Sequence, residues 1–404
     1  METFKQLKLT RWRQFENVDI DFSSNLTVLT GKNGCGKTTI LNILGRHFGW
    51  NIHLISTPYL SKKKERKFWT DVWETIEKDF EIPPGAKKVG ELIYSNNVTN
   101  ELFVPDNHTN PQYQLNFSNQ QSVNGLNIPS HRPIASYHNI ENIPTNPKTN
   151  QQQFEEFQQL LLATYGSGGS RNPGIVLKQS LISLAVFGYG NDAVMPNPEY
   201  IRLFESFQSV LKELLPPEIG FEKLEIRMPD IVLVTKSGAF NLDSMSGGIA
   251  ALFSMGWQIH MYGANKENCT ILIDEPENHL HPSMQREFLP SLKAAFPTFK
   301  FIIATHSPFI LSSLPDAKVY ALTHNENSQI TSLELTEADL MGSANKILRE
   351  ILDVPNSMPK WVEDKIRAII QQYSDGGENE ENAKAAFNAL KEQGLNDNLK
   401  DFKL

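Results

Sequence analysis

Hydrophobic positions in the first stretch of the chain alternate with polar ones. Phe4, Leu7 and Leu9, then Phe15, Val18, Ile20 and Phe22, mark two extended runs, and the charged bend Arg11-Trp12-Arg13-Gln14 lies between them. A period of two interrupted by a polar bend predicts an antiparallel pair. The apolar run Leu26-Thr27-Val28-Leu29-Thr30 predicts a short buried strand, and Thr39-Ile40-Leu41-Asn42-Ile43-Leu44 changes to the helical period.

Further along, the period changes repeatedly. The basic run Ser61-Lys62-Lys63-Lys64-Glu65-Arg66-Lys67 leads into a helix predicted over 68–80. Such a run reads as a solvated face, with a nucleic-acid or partner contact as the alternative. Residues 96–153 are rich in Asn, Gln, Pro and Ser and predict loops and short strands, among them a strand end and polar turn at 126–134. Helical periods return at 154–163, 177–187 and 198–214, with Gly166-Ser167-Gly168-Gly169-Ser170 as a flexible hinge or loop. Residues 221–242 predict a hairpin turning at Lys236-Ser237-Gly238. After it, Ile249, Leu252, Phe253 and Trp257 share one helical face, and apolar strands follow at 270–273 and 299–304. Residues 338–352, 360–373 and 380–393 predict helices, broken at Asp353-Val354-Pro355-Asn356 and Ser374-Asp375-Gly376-Gly377. No internal repeat is evident.

Composition narrows the class. A chain of 404 residues suggests two or three domains, or one large α/β domain with insertions. A net charge of -8 argues against nucleic-acid binding by overall charge and leaves room only for a local basic face. Cys35 and Cys269 are the two cysteines, which points to a reducing compartment rather than a disulfide framework. Met1-Glu2-Thr3-Phe4-Lys5 lacks a signal-peptide shape, and no apolar run approaches the ~18 residues of a membrane span. The expectation is a soluble cytoplasmic protein with no membrane partner.

Chemistry enters at Gly31-Lys32-Asn33-Gly34-Cys35-Gly36-Lys37-Thr38, which fits G-x-x-x-x-G-K-[ST] at every fixed position. Glycines at 31, 34 and 36 let the backbone fold tightly and turn its N–H groups, Asn33 and Thr39 included, toward phosphate oxygens. Lys37 is expected at the β- and γ-phosphates and Thr38 on Mg²⁺, with the following helix presenting its N-terminus. Trp12 or Arg13 is a candidate to cover the base or phosphates, with edge-strand packing an equal reading. His131 and Arg132 are candidates to reach the nucleotide or its metal-bound water, although nothing in the spacing requires it. Ser246-Gly247-Gly248 ahead of a helix is a second candidate anion-binding terminus, and a capped helix start is its plain alternative. Thr270-Ile271-Leu272-Ile273-Asp274-Glu275-Pro276-Glu277 puts carboxylates at the carboxyl end of a strand, where open α/β sheets bind ligands. Asp274 is expected to hold Mg²⁺, and Glu275 to polarise the water that attacks the γ-phosphate. His306, after the strand ending Ala304-Thr305, is a candidate contact for that phosphate.

These four segments occur in the order of ABC-type ATPases. The wording Asp274-Glu275-Pro276-Glu277-Asn278-His279-Leu280-His281-Pro282 and Ala304-Thr305-His306-Ser307-Pro308 resembles the soluble branch with RecF, SMC, Rad50 and OLD proteins and the ATPase subunits of anti-phage systems. The opening Leu7-Lys8-Leu9-Thr10-Arg11-Trp12-Arg13-Gln14-Phe15 is similar to that branch's hairpin. The resemblance implies an α/β fold: an ABC-type ATPase head, a mixed sheet with a P-loop core, carrying a helical insertion and a helical C-terminal region. The corresponding segments are 1–50 and 221–335 for the head, 51–220 for the insertion and 336–404 for the tail. It further implies a slow, Mg²⁺-dependent ATPase whose heads pair with ATP between them, so that Ser246, Gly247 and Gly248 serve the partner's nucleotide. His279-Leu280-His281-Pro282 then falls at the dimer-contact loop, with metal binding by its two histidines as a competing thought. Ile249 stands where the family often has Gln, and the family's glutamine loop is not located.

About 200 residues separate Thr38 from Ser246, more than in compact transporter ATPases, and no heptad arm is present. Asn265-Lys266-Glu267-Asn268 lacks the final Asp of a guanine-recognition motif, which favours ATP over GTP. No Asp-x-Asp strand end follows His306 and no His-Asn-His nuclease pattern occurs. The helical tail is similar to those of Septu- and PARIS-type ATPases, in which a separate effector supplies the nuclease. The expectation is therefore an anti-phage sensor or scaffold that self-associates and controls a nuclease effector. A RecF-like DNA clamp, with DNA as a candidate partner, and a nucleotide-gated assembly protein with negligible turnover are the alternatives.

Overall fold

The computed structural model describes residues 1–60, 64–70, 86–105, 110–132, 137–166, 172–352, 359–374, 380–393 and 395. It divides into two compact units, Met1–Glu337 and Ala338–Leu404.

The first unit is built on an eleven-stranded sheet. One half is parallel. β3 (Leu26–Gly31) lies between β16 (Lys300–Ala304) and β17 (Lys318–His324), and β15 (Thr270–Asp274) and β11 (Gly125–Ile128) continue outward from β16. These strands are buried on both faces, which is why they read as apolar runs and not as alternations. The other half is largely antiparallel: β18 (Ile330–Leu335), β2 (Phe15–Asp21), β1 (Phe4–Trp12), β7 (Lys87–Tyr94), β8 (Thr99–Val104) and β10 (Asn116–Phe117). β1 and β2 form the expected hairpin, pairing from Gln6↔Asp21 to Trp12↔Phe15, with Arg13-Gln14 as its turn. Alternation is clean there because one face packs inward: Leu7, Leu9, Val18 and Ile20 are fully buried.

Helices cover the parallel half. α1 (Lys37–Gly45) follows β3 directly and packs on β15 and β16. α2 (Asn150–Gly166), α3 (Gly174–Tyr189) and α4 (Pro198–Leu214) come from the long insertion, and α5 (Gly247–Gly263) packs between α2 and α4. α4 is the most regular of them. Asn197 caps it by accepting from the N–H groups of Glu199 and Tyr200, Pro198 opens it, and its apolar stripe from Tyr200 to Leu214 is buried.

Three expectations change. Phe68 and Trp69 belong to β6 (Arg66–Trp69), paired with β5 (Thr57–Leu60), and are not a helix start. Cross-strand pairing of Phe68 with Pro58 and Trp69 with Thr57 outweighs the helical spacing, while 71–80 lie outside the described residues. Residues 221–241 make three strands, β12 (Phe221–Arg227), β13 (Asp230–Thr235) and β14 (Gly238–Asn241), because Pro229 cannot continue a ladder and turns the chain early. The predicted helix 338–352 is a turn, Glu337–Leu340, and a separate α8 (Ala344–Glu350), restarted where the Ser343 side chain accepts from the Lys346 N–H. The hinge at 167–170 and the break at 353–356 lie outside the described residues, as do residues 375–377 of the second break. In the second unit, Val362, Ile366 and Ile369 of α9 (Lys360–Ser374) bury against Leu390 of α10 (Glu380–Glu392) and Leu395.

Candidate nucleotide site

Parallel pairing gathers the carboxyl ends of β3, β16, β15 and β11 along one edge. Asp274 pairs with Ala304, Ala304 with Leu29, and Ile273 with Ile128, so the residues after each strand emerge at one level. The next step continues that ladder: the Glu275 N–H donates to the Ala304 carbonyl (2.8 Å) and the Thr305 N–H to the Leu29 carbonyl (3.0 Å). Gly31–Thr38, Asp274-Glu275 and Thr305-His306 thus converge on one edge although they are far apart in the chain.

The phosphate loop needs its glycines. Gly31 has φ +136°, and a Cβ there would lie 2.4 Å from the Leu322 carbonyl oxygen. Gly36 has φ +94°, and a Cβ there would strike the Phe15 ring at 2.3 Å. The hairpin turn therefore braces the loop, and Gln14 Nε2 donates to the Gly34 carbonyl (2.9 Å). Trp12 does not take part: it is fully buried and its Nε1 donates to Tyr113 Oη (3.2 Å), which is the edge-packing reading. Lys37 turns back on its own loop, its Nζ donating to the carbonyls of Gly31 (2.9 Å) and Lys32 (3.1 Å) and lying 3.6 Å from Cys35 Sγ. Burial lowers the Lys37 ammonium pKa.

Thr38 Oγ1 donates to Asp274 Oδ2 (3.0 Å), while the buried Asp274 Oδ1 has no partner. Burial, with Glu275 and Glu277 adding, pushes the Asp274 carboxyl up to about 6 against the Thr38 hydrogen bond and the Lys37 charge. A bare carboxylate oxygen beside a hydroxyl suits a hard cation that takes oxygen ligands, so the residues present fit Mg²⁺.

Glu275 adopts φ +45°. Its Oε1 lies 3.4 Å from His306 Nε2, and its Oε2 accepts from Asn278 Nδ2 (3.1 Å). His306 Nδ1 faces Lys37 Nζ at 3.4 Å. An ammonium only donates and a carboxylate only accepts, so these two neighbours favour a neutral ring with its proton on Nε2. Burial and the Lys37 charge lower its pKa, against the pull of Glu275, Glu277 and the Gly31 carbonyl. Glu277, which the sequence reading left without a role, bridges the two strand ends, accepting from the His306 N–H (2.6 Å) and Thr305 Oγ1 (2.9 Å). Its place in Asp274-Glu275-Pro276-Glu277 was the available signal.

Gly247 and Gly248 lie against the acidic loop. A Cβ at Gly247 would meet the His279 side chain at 3.6 Å, and one at Gly248 the His279 carbonyl at 2.7 Å. Ser246 is exposed, and its side chain accepts no cap hydrogen bond from α5. The segment before it is held by Lys178, whose buried Nζ donates to Asp243 Oδ2 (2.6 Å) and the His138 carbonyl (2.8 Å). Nothing in a lone helical lysine signalled that contact. His279 packs on Gly247, and His281 Nδ1 instead accepts from the Ser283 N–H at the start of α6 (Pro282–Ala295), so the two histidines have separate duties. Arg132 also sits on the acidic loop, its guanidinium donating to the carbonyls of Asp274 and Glu275 at 3.2 and 3.1 Å.

The fold is that of an ABC-type ATPase head, a mixed sheet with a P-loop core whose strand ends meet at one edge. A family profile described as an AAA domain matches residues 6–164, and another, described as an AAA domain, putative AbiEii toxin, Type IV TA system, matches 211–312. The chain is 22% identical to the Retron Ec83 probable ATPase of Escherichia coli over 91% of this chain and 79% of that protein. It is 24% identical to Septu protein PtuA of Bacillus mycoides over 80% of this chain and 41% of that protein. Septu protein PtuA of Bacillus thuringiensis matches at 19% identity over 87% of this chain and 84% of that protein. The chain thus carries AAA-type ATPase domains and is homologous to retron ATPases and Septu PtuA proteins. Among solved structures, the SMC head domain from Thermotoga maritima aligns with 82% of this chain and 98% of its own, at 16% identity and a TM-score of 0.41. Among the described residues, no helix is long and apolar enough to cross a membrane.

Proposed function

We propose that this protein is the ATP-hydrolysing sensor or scaffold of an anti-phage system, acting in the cytoplasm and controlling a separate nuclease effector. Its similarity to retron and Septu proteins supports the defence setting. The observation that carries the mechanism is the uneven site: a nucleotide pocket formed within one chain, and a serine at the start of α5 left without an intramolecular task.

In this reading the N–H groups of Gly31–Thr39 and the Lys37 ammonium take the phosphates, and Lys37 exchanges loop carbonyls for β- and γ-oxygens. Thr38 and Asp274 would hold Mg²⁺, which supplies charge neutralisation at the phosphates when bound. Glu275 takes a proton from the attacking water, and neutral His306 donates from Nε2 toward the γ-phosphate. Ser246, Gly247 and Gly248 complete the nucleotide site of a second copy, so turnover is slow unless heads pair. The segments 1–50 and 221–335 form the head, 51–220 the insertion, and 336–404 the surface for assembly or effector contact.

The test is purification of the Glu275→Gln protein from its native host with ATP, followed by light scattering and mass spectrometry of bound proteins. A doubled mass and a retained nuclease are expected. An unchanged mass with ATP sinks the paired-head mechanism, and DNA cleavage by the protein alone sinks the division of labour.

A further inference from the structure

Beyond β15 the chain makes an unusual turn. Glu275 and His279 both adopt left-handed φ, +45° and +73°, which side chains other than glycine rarely occupy. The carbonyls of Asp274, Glu275, Pro276 and Asn278 have left the sheet ladder at this point. One side chain collects all four. Arg132 Nη2 donates to the Asp274 and Glu275 carbonyls at 3.2 and 3.1 Å, and Nη1 to those of Asn278 and Pro276 at 3.3 and 3.5 Å.

Arg132 arrives there because β11 pairs with β15 in parallel, so the segment after Ile128 leaves the sheet alongside the acidic loop. The same segment adds a second hold, the Ser130 carbonyl accepting from Asn278 Nδ2 (3.3 Å), and that amide also donates to Glu275 Oε2. A guanidinium suits this task, since its rigid planar fork spreads its N–H donors over two nitrogens facing four carbonyls, whereas an ammonium offers all its donors from a single nitrogen. Burial brings the Arg132 pKa down to about 10, against the opposing pull of Glu277 and Asp274, so it stays charged at neutral pH.

We infer that Arg132 is a positioning residue for ATP hydrolysis, clamping the backbone of the acidic loop so that the Glu275 carboxylate faces His306 and the attacking water. This rests on the catalytic assignment of Glu275 proposed above. Arg132 touches neither nucleotide nor metal in this role; it acts through Glu275.

The test compares Arg132→Ala and Arg132→Lys with the wild type, measuring kcat and the Kd of a fluorescent ATP analogue without Mg²⁺. Misplacing the base should lower kcat about 100-fold in Arg132→Ala and about tenfold in Arg132→Lys, with Kd within about twofold. In a Glu275→Gln background, Arg132→Ala should give no further loss in single-turnover hydrolysis, because the two residues act as one unit. Should the alanine variant fail to fold, the lysine variant decides. Wild-type kcat in the lysine variant, parallel losses in kcat and Kd, or multiplying losses in the Glu275→Gln background each overturn the inference. A wild type whose turnover does not depend on Glu275 overturns the functional reading itself, and the inference with it.

Discussion

Two parts of the candidate site differ in how they are satisfied. In the phosphate-loop half, Lys37 is bonded to its own loop, Thr38 to Asp274, Glu275 to Asn278, and Glu277 to both Thr305 and the His306 backbone. In the signature half, Asp243 is tied down by Lys178, but Ser246 three residues later is exposed without a cap bond. A helix N-terminus leaves its first N–H groups without intrahelical partners; Asn197 meets two of them in α4, whereas α1 and α3, like α5, have no side-chain cap. One half is closed by hydrogen bonds within the chain except at Asp274 Oδ1, and the other has a fixed base and an open tip.

The contrast can be broken from either side. The largest effect is expected from Lys37→Ala, which removes the cation from the closed half; nucleotide affinity by isothermal titration should fall at least ~100-fold. Glu275→Gln should leave that affinity intact and cut steady-state phosphate release by about 100- to 1000-fold. Ser246→Arg, aimed at the open tip, should lower turnover by roughly tenfold or more and abolish the ATP-dependent mass increase while one chain still binds nucleotide normally. If Ser246→Arg weakened nucleotide binding to the isolated chain, the two halves would not be separate.

The smallest effect concerns stability. Asp274 in the ligand-free fold titrates at about 6, above its ordinary 3.8, so its ionised form destabilises the folded state at neutral pH. Asp274→Asn should therefore stabilise the nucleotide-free protein by ~1–3 kcal/mol in urea denaturation at pH 7.5. The sign requires that gain to shrink as pH falls through about 6 and to vanish only below the unfolded value of 3.8, where the wild-type carboxyl is protonated in both states.

What was legible in the sequence was whatever lies on contiguous residues at strand ends. Gly31–Thr38, Asp274-Glu275 and Thr305-His306 each carry their chemistry locally, and apolar runs before them fix the strands, so their meeting at one edge followed from a parallel sheet. Long-range contacts were not legible. Arg132 meets carbonyls more than 140 positions away, and its target became visible only through the β11–β15 register. Lys178 carries no periodic signal beyond being the one charged residue of a mostly apolar helix. Phe68 and Trp69 were misread because a basic run followed by aromatics suits a helix start as well as a β-ribbon, and only the partner strand at Thr57–Leu60 decides. At the first hairpin, Trp12 and Gln14 shared one bend; pleat direction buried the tryptophan and sent the glutamine to the loop.

The folded-back Lys37 changes what an affinity for ATP would mean in this protein. Its ammonium already has two carbonyl oxygens and a neutral imidazole as company, so an arriving phosphate competes with an internal ligand instead of meeting a bare charge. Measured affinity is then the difference between two occupied states of one lysine. Discrimination between nucleotides then rests on how well each third phosphate competes with the protein's own backbone.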